Sequence, residues 1–296
     1  MIVFKDVNKK IGNKPVINNC TFHIRQGECV GLLGKNGAGK TTLLNLMAGI
    51  LEADNGFLRI NGSQNPLKDT GALKELVYIS GVKSQLWQDI KIKDSFRHCQ
   101  NMYGVKNDRL EELTALCNIS HLLDEYPVHL SLGEKMRCEI VYALLSSPSI
   151  LLMDEVMLGL DVTIKQKIFE YLQKMKKAED ITIIYTSHNL MEVERLCERI
   201  LLINQGNIIF DGSKDRLMRE YAPLYQMQIV LKDNVIPDFE DLPVRKIDIS
   251  NNRICVFFSH NEIEKAELLR FITNRYPVKD IRLIEPGLED TIRQIG

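Results

Sequence analysis

Residues Gly34-Lys35-Asn36-Gly37-Ala38-Gly39-Lys40-Thr41 set a lysine and a hydroxyl directly after a glycine-rich run. This spacing, Gly-x-x-x-x-Gly-Lys-Ser/Thr, suits the capture of polyphosphate. Glycines let the backbone N–H groups of Gly37, Ala38 and Gly39 approach phosphate oxygens, and a helix N-terminus behind them adds partial positive charge. Lys40 would neutralise the β and γ phosphates, and the Thr41 hydroxyl would bind Mg2+. The candidate phosphate-binding residues are Gly34, Asn36, Gly37, Ala38, Gly39, Lys40, Thr41 and Thr42. A strand before the run and a helix after it argue against a merely structural glycine turn.

Two further positions carry chemistry. Asp154-Glu155 ends the apolar run Ile150-Leu151-Leu152-Met153, and open α/β sheets hold their ligands at the carboxyl ends of such strands. Asp154 suits a metal shell, and Glu155 suits a base or water-orienting role. Alone, an Asp-Glu pair reads equally as the start of a solvated loop; beside a phosphate loop the functional reading is preferred. Thr186-Ser187-His188 ends the next apolar run, where a histidine could donate to a γ-phosphate, although a lone histidine is more often structural.

The elements that must position these groups follow from periodicity. Strands are predicted at 2–4, 16–24, 28–33 and 57–60, punctuated by Asn13-Lys14-Pro15, Gln26-Gly27 and Asn61-Gly62. A helix follows Gly39, with Leu43, Leu44, Met47 and Ala48 on one face. Helical spacing of Ile92, Phe96, Cys99 and Met102, then of Leu110, Leu113 and Leu116, predicts an all-helical insertion. Ser131 and Glu134 form a capping-box pattern before a helix that Pro148 stops.

Strands at 150–153 and 181–185, helices at 162–177 and 189–197, and a hairpin with arms 200–203 and 207–210 complete an alternation expected of a mainly parallel sheet. Beyond about residue 221, alternating Tyr225, Met227, Ile229 and Leu231, a hairpin across Ser250-Asn251-Asn252, a helix opened by Asn261 and Glu264, a strand at 278–284 and a helix with Leu288, Ile292 and Ile295 read as a small α+β domain.

Lys plus Arg total 38 against 39 Asp plus Glu, so no global field draws in nucleic acid or an anionic membrane. Cys20, Cys29, Cys99, Cys117, Cys138, Cys197 and Cys255 are scattered without a Cys-x-x-Cys pair, the pattern of a reducing cytosol. No signal peptide is expected, and no apolar run reaches the roughly 18 residues of a membrane span. If the protein serves a membrane, other chains do the spanning.

In order, the phosphate loop, Leu130-Ser131-Leu132-Gly133-Glu134, Leu151-Leu152-Met153-Asp154-Glu155, Gly159-Leu160-Asp161 and Ser187-His188 resemble the ATP-binding cassette ATPases over residues 1–220. Ser84-Gln85-Leu86-Trp87 and the run from Leu130 to Cys138 are similar to a bacterial export-type branch with separate membrane subunits. The resemblance implies a phosphate-loop core with an antiparallel β portion and a helical subdomain near 88–145, followed by an accessory α+β domain at 221–296. It also implies ATP and Mg2+, catalysis by Glu155 and His188, and a metal at Thr41 and Asp154. Two cassettes, copies or paralogues, would sandwich two nucleotides, with Ser131 and Gly133 of one facing the other's γ-phosphate and the nucleotide-site residue Asp161 in the loop that links the two sites. The partners would be transmembrane permease chains and not nucleic acid, and the place the cytoplasmic face of the membrane.

The chain departs from the pattern at Ile11, where an aromatic usually stacks on adenine, at Leu132 and Glu134 in the signature segment, and at Val156-Met157-Leu158. A gapless reading puts Val82 where a metal-sensing glutamine belongs, with Gln85 preferred as its substitute in catalysis and at the metal, and Gln88 the other choice. Trp87 is read either as a contact for a membrane subunit or as an aromatic packed into the helical insertion. A transport ATPase is the first functional expectation. A nucleotide-gated module with little hydrolysis is the second.

Overall fold

Apolar alternation in the first sixty residues builds β1 (Ile2–Ile11) and β2 (Lys14–Ile24), joined at Gly12 and Asn13 and followed by β3 (Cys29–Leu33). The turn therefore precedes Lys14 and Pro15, which were expected within it. Pro15 is tolerated because β2 is the edge strand of its sheet. Then come α1 (Lys40–Met47), β4 (Asn55–Ile60), α2 (Thr70–Leu73) and β5 (Leu76–Ser80). The helical insertion comprises α3 (Ile92–Tyr103), α4 (Asn107–Leu116) and α5 (Leu132–Leu145). The core closes with β6 (Ile150–Asp154), α6 (Val162–Glu179), β7 (Thr182–Thr186), α7 (Leu190–Leu196), β8 (Arg199–Asn204) and β9 (Asn207–Ser213).

This computed structural model describes residues 1–64, 70–81, 84–221, 224–233, 238–239, 242–250, 253–259, 262–287 and 291–292. The expectations at Val82, Asn251, Asn252, Asn261, Leu288 and Ile295 lie outside them.

One sheet is antiparallel, in the order β2-β1-β4; the other has the order β5-β6-β7-β3-β8-β9, parallel from β5 to β8, with β9 antiparallel at the edge. β3, β6 and β7 are buried along their whole length, as a sheet covered on both faces requires. Helix α1 shares one core with both sheets: Leu43, Leu44 and Met47 pack with Phe4 and Phe22 from one and with Leu32, Leu152 and Ile184 from the other. The chain has the phosphate-loop α/β fold with an antiparallel portion and a helical subdomain.

The described residues divide by contact into Met1–Lys214 and Asp215–Gly296. The second unit has all but the first residue of α8 (Lys214–Tyr221), then β10 (Tyr225–Leu231), β11 (Val244–Ser250), β12 (Arg253–Phe258), α9 (Lys265–Arg275) and β13 (Val278–Ile284). Its antiparallel sheet runs β11-β12-β10-β13, with Met227, Ile229, Val256 and Phe258 packed with Leu268 and Ile272 of α9.

Candidate functional site

β3 ends at Leu33 and delivers the chain into the phosphate loop, and β8 limits how that loop can turn. A Cβ on Gly34 would fall 2.2 Å from the Ile203 carbonyl oxygen, and one on Gly39 would fall 2.9 Å from Ile17 Cδ1. Gly39 caps α1 at φ 114, a conformation that side chains resist. Lys40 is buried in the loop it follows, its Nζ donating to the carbonyls of Gly34 at 2.8 Å and Lys35 at 3.2 Å. An ammonium has three donors, so one remains for a phosphate. Burial lowers the Lys40 pKa, opposed by the nearby carboxylates of Glu155 and Asp154.

Asp154, 7% exposed at the end of β6, gathers the hydroxyls around it. Its Oδ2 accepts from Thr41 Oγ1 at 2.9 Å and from Tyr78 Oη at 3.2 Å, and its Oδ1 accepts from Thr186 Oγ1 at 2.6 Å. Burial and the Asp154 charge drive the Tyr78 phenol far upward, keeping it a donor. Glu155 stands beyond the strand at φ 56, and its backbone N–H donates to Thr186. A non-glycine residue held there costs about 1–3 kcal/mol, a strain that clusters at functional sites. Its Oε1 lies 2.8 Å from His188 Nε2. Lys40, Thr41, Asp154, Glu155 and His188 thus meet at the carboxyl ends of β3, β6 and β7.

Thr41 and Asp154 offer hard oxygens. Among the described residues no cluster of three or more His, Cys, Asp or Glu forms a metal cage. Two protein oxygens beside a polyphosphate fit Mg2+, which keeps most of its ligands as water and phosphate.

The signature segment starts α5. Ser131 and Glu134 form the expected capping box: the Ser131 N–H donates to Glu134 Oε2 at 3.0 Å, its hydroxyl donates there at 2.6 Å, and Glu134 N–H donates back to Ser131 Oγ at 3.4 Å. These bonds hold the Glu134 carboxyl below its ordinary pKa. A Cβ on Gly133 would meet the Gly159 carbonyl at 2.7 Å, so the start of α5 lies against the loop leading to Asp161. Asp161 caps α6 through Ile164 N–H at 3.0 Å.

Residues 17–157 match the ABC transporter family. The ABC transporter ATP-binding protein NatA of Bacillus subtilis is 28% identical over 73% of this chain and 91% of its own. The Nod factor export ATP-binding protein I of Paraburkholderia xenovorans is 29% identical over 97% of both chains. The molybdenum import ATP-binding protein ModC of Pectobacterium atrosepticum is 28% identical over 89% of this chain and 76% of its own. A solved ATP-binding subunit of an ABC transporter superposes with a TM-score of 0.68 at 26% identity, covering 75% of this chain and 93% of that one. A dimeric ATP-binding cassette in a post-hydrolysis state, bound to ADP and Pi, has a TM-score of 0.64 at 22% identity, over 72% and 98%.

The chain belongs to the ABC transporter family. It is an ATPase subunit of that family, and it binds ATP. Among its described residues no helix is long and apolar enough to cross a membrane.

Three further side chains are bonded into this cluster without a local mark in the sequence. Tyr78 lies on β5, a strand outside those expected from periodicity although Leu76-Val77-Tyr78-Ile79 is a run of strand-favouring residues. The second is Thr186, whose hydroxyl reaches Asp154. The third is Glu192, buried in α7, where it accepts from Ser187 Oγ beside His188. Gln85 is not among the groups bonded to Asp154: its side-chain amide donates to the Tyr78 carbonyl, and the Tyr78 hydroxyl reaches the carboxylate instead. Ile11 is exposed, as is Trp87, whose ring lies 4.7 Å from that of His98 on α3.

Proposed function

We propose that this subunit drives an export-type transporter from the cytoplasmic face of the membrane, pairing with a second cassette around two ATP molecules and binding separately encoded permease chains. The observation that carries the hydrolytic reading is the convergence of Lys40, Asp154, Glu155 and His188. Lys40 holds the β and γ phosphates through its remaining N–H, and the loop amides of Gly37, Ala38 and Gly39 hold their oxygens. Asp154 and Thr41 would hold the metal, with Tyr78 and Thr186 fixing the carboxylate. Bound Mg2+ would neutralise charge on the phosphate oxygens. Glu155 accepts the proton of the attacking water, and His188 keeps that carboxylate oriented until the γ-phosphate takes its N–H.

Pairing draws support from the dimeric cassette that shares the fold, and from Ser131, Leu132 and Leu158, all exposed where the start of α5 lies against Gly159. Export draws support from the end-to-end match to a Nod factor export protein, since the molybdenum import relative is matched over less of its length. The commitment of Gln85 to a backbone carbonyl favours the second reading, a nucleotide-gated module with little hydrolysis.

Phosphate release by the purified protein at saturating ATP and Mg2+ separates the two. Repeated turnover is expected, and release that stops at one phosphate per chain would favour the gate. Inverted membrane vesicles holding the permease chains should accumulate the cargo with ATP; ATP-driven loss of cargo from them would make the system an importer.

A further inference from the structure

We infer that Glu139 is a positioning residue for the ATPase reaction, fastening the loop that presents Trp87 to the helix of the signature segment. Glu139 lies on α5 about two turns beyond the Ser131 cap, and it is 1% exposed. A carboxylate in such a place must be compensated. Among the described residues no cation pairs with it, and the loop at 84–86 supplies donors instead. Gln85 N–H lies 3.1 and 3.0 Å from its two oxygens, Leu86 N–H lies 3.5 Å from one, and the Ser84 hydroxyl donates to it.

The loop takes its shape from this tie. Leu86 turns inward, 3% exposed, while Trp87 turns outward, 52% exposed, onto the ring of His98. Gln88 closes the turn by donating to Ser84 Oγ at 3.3 Å and to the Leu86 carbonyl at 3.1 Å. A second mooring runs toward Asp154: the Gln85 side-chain amide donates to the Tyr78 carbonyl, and the Tyr78 hydroxyl donates to Asp154. The loop is therefore held by α5 on one side and by the strand that reaches Asp154 on the other. Two segments far apart in sequence, Ser84-Gln85-Leu86-Trp87 and the start of α5, are thus parts of one device. A shift of α5 moves Trp87 with it, a consequence that rests on the proposed pairing of cassettes; the anchoring itself does not.

The chain contains one tryptophan, so its fluorescence reports on this loop alone. Glu139→Gln keeps the shape but turns an NH2 group toward N–H donors, and Ser84→Ala removes one donor from an exposed position. In nucleotide-free protein of native circular dichroism, acrylamide quenching of Trp87 should rise about twofold in Glu139→Gln and less in Ser84→Ala, as the loop opens locally. In steady-state assays the KM for ATP should stay within about twofold while kcat falls by about threefold or more. Unchanged quenching overturns the inference, and Ser84→Ala decides alone if Glu139→Gln does not fold. Altered quenching with unchanged kcat also overturns it, because the carboxylate would then shape the loop without serving the reaction. A wild-type protein that turned over no ATP would instead sink the hydrolytic reading and leave the quenching result standing.

Discussion

Glu192→Gln probes the buried charge cluster behind His188. The Glu192 carboxylate lies 2.8 Å from Lys165 Nζ and accepts from Tyr185 Oη at 2.6 Å and Ser187 Oγ at 2.7 Å. Ser187 Oγ in turn accepts from Asn189 N–H at 3.0 Å, so the residues on both sides of His188 depend on this acid. Glutamine preserves shape and one acceptor but deletes the charge. Breaking a buried pair by removing one partner costs about 3–5 kcal/mol. The Glu192 side chain is 7% exposed and that of Lys165 23%, and the partial hydration of the lysine selects the lower end, about 3 kcal/mol.

In a domain the size of Met1–Lys214, 1 kcal/mol shifts Tm by about 2–4 °C, so a fall of about 6–12 °C is expected at pH 7. Burial pushes the Glu192 carboxyl up, but the bonds from Lys165, Tyr185 and Ser187 outweigh it and hold the pKa below the ordinary value. A depressed pKa stabilises the fold above the unfolded value of about 4.3, and that contribution is lost as pH falls through the folded value. Thermal unfolding followed by circular dichroism should therefore show a full gap between wild type and variant at pH 7 that narrows below about pH 4. A gap under about 2 °C at pH 7, or one that persists undiminished in acid, refutes the reasoning.

Lys40→Ala should abolish ATP binding as read by equilibrium dialysis, because the phosphates lose the buried ammonium that faces them; wild-type turnover in this variant would remove the phosphate-loop assignment. A chain ending at Lys214 should fold and bind ATP with the affinity of the full chain, since every candidate phosphate and metal residue precedes that point. A folded truncation that fails to bind would show that the second unit contributes to the site.

Local chemistry made the phosphate loop, the acidic end of β6 and the Ser131 cap legible, because glycine spacing, an apolar run and a capping box each leave a mark within a few residues. Periodicity likewise placed the strand at Val278–Ile284. What stayed hidden depends on partners distant in sequence. Glu139 and Glu192 look like ordinary helix-surface acids until Ser84, 55 residues away, and Lys165, 27 away, are seen beside them. The positive φ of Glu155 has no sequence mark, since glutamate carries none of the local bonding that favours asparagine there. β1 runs on to Ile11, beyond the apolar residues that announced it, because its polar half pairs with β2 rather than burying side chains.

The central claim is that Glu155 activates the attacking water in a site completed by a second cassette. Glu155→Gln keeps the side-chain shape and removes the proton acceptor, so ATP should bind and persist. A persisting γ-phosphate would bridge Lys40 of one chain and Ser131 of the other, stabilising the paired state by mass action. With millimolar ATP and Mg2+ in the cold, size-exclusion chromatography with light scattering should show the variant as a dimer that releases no phosphate, while nucleotide-free and ADP-bound protein stay monomeric. A variant that hydrolyses ATP at the wild-type rate would contradict the account. So would one that binds ATP without turnover and remains a monomer even with its membrane partner present.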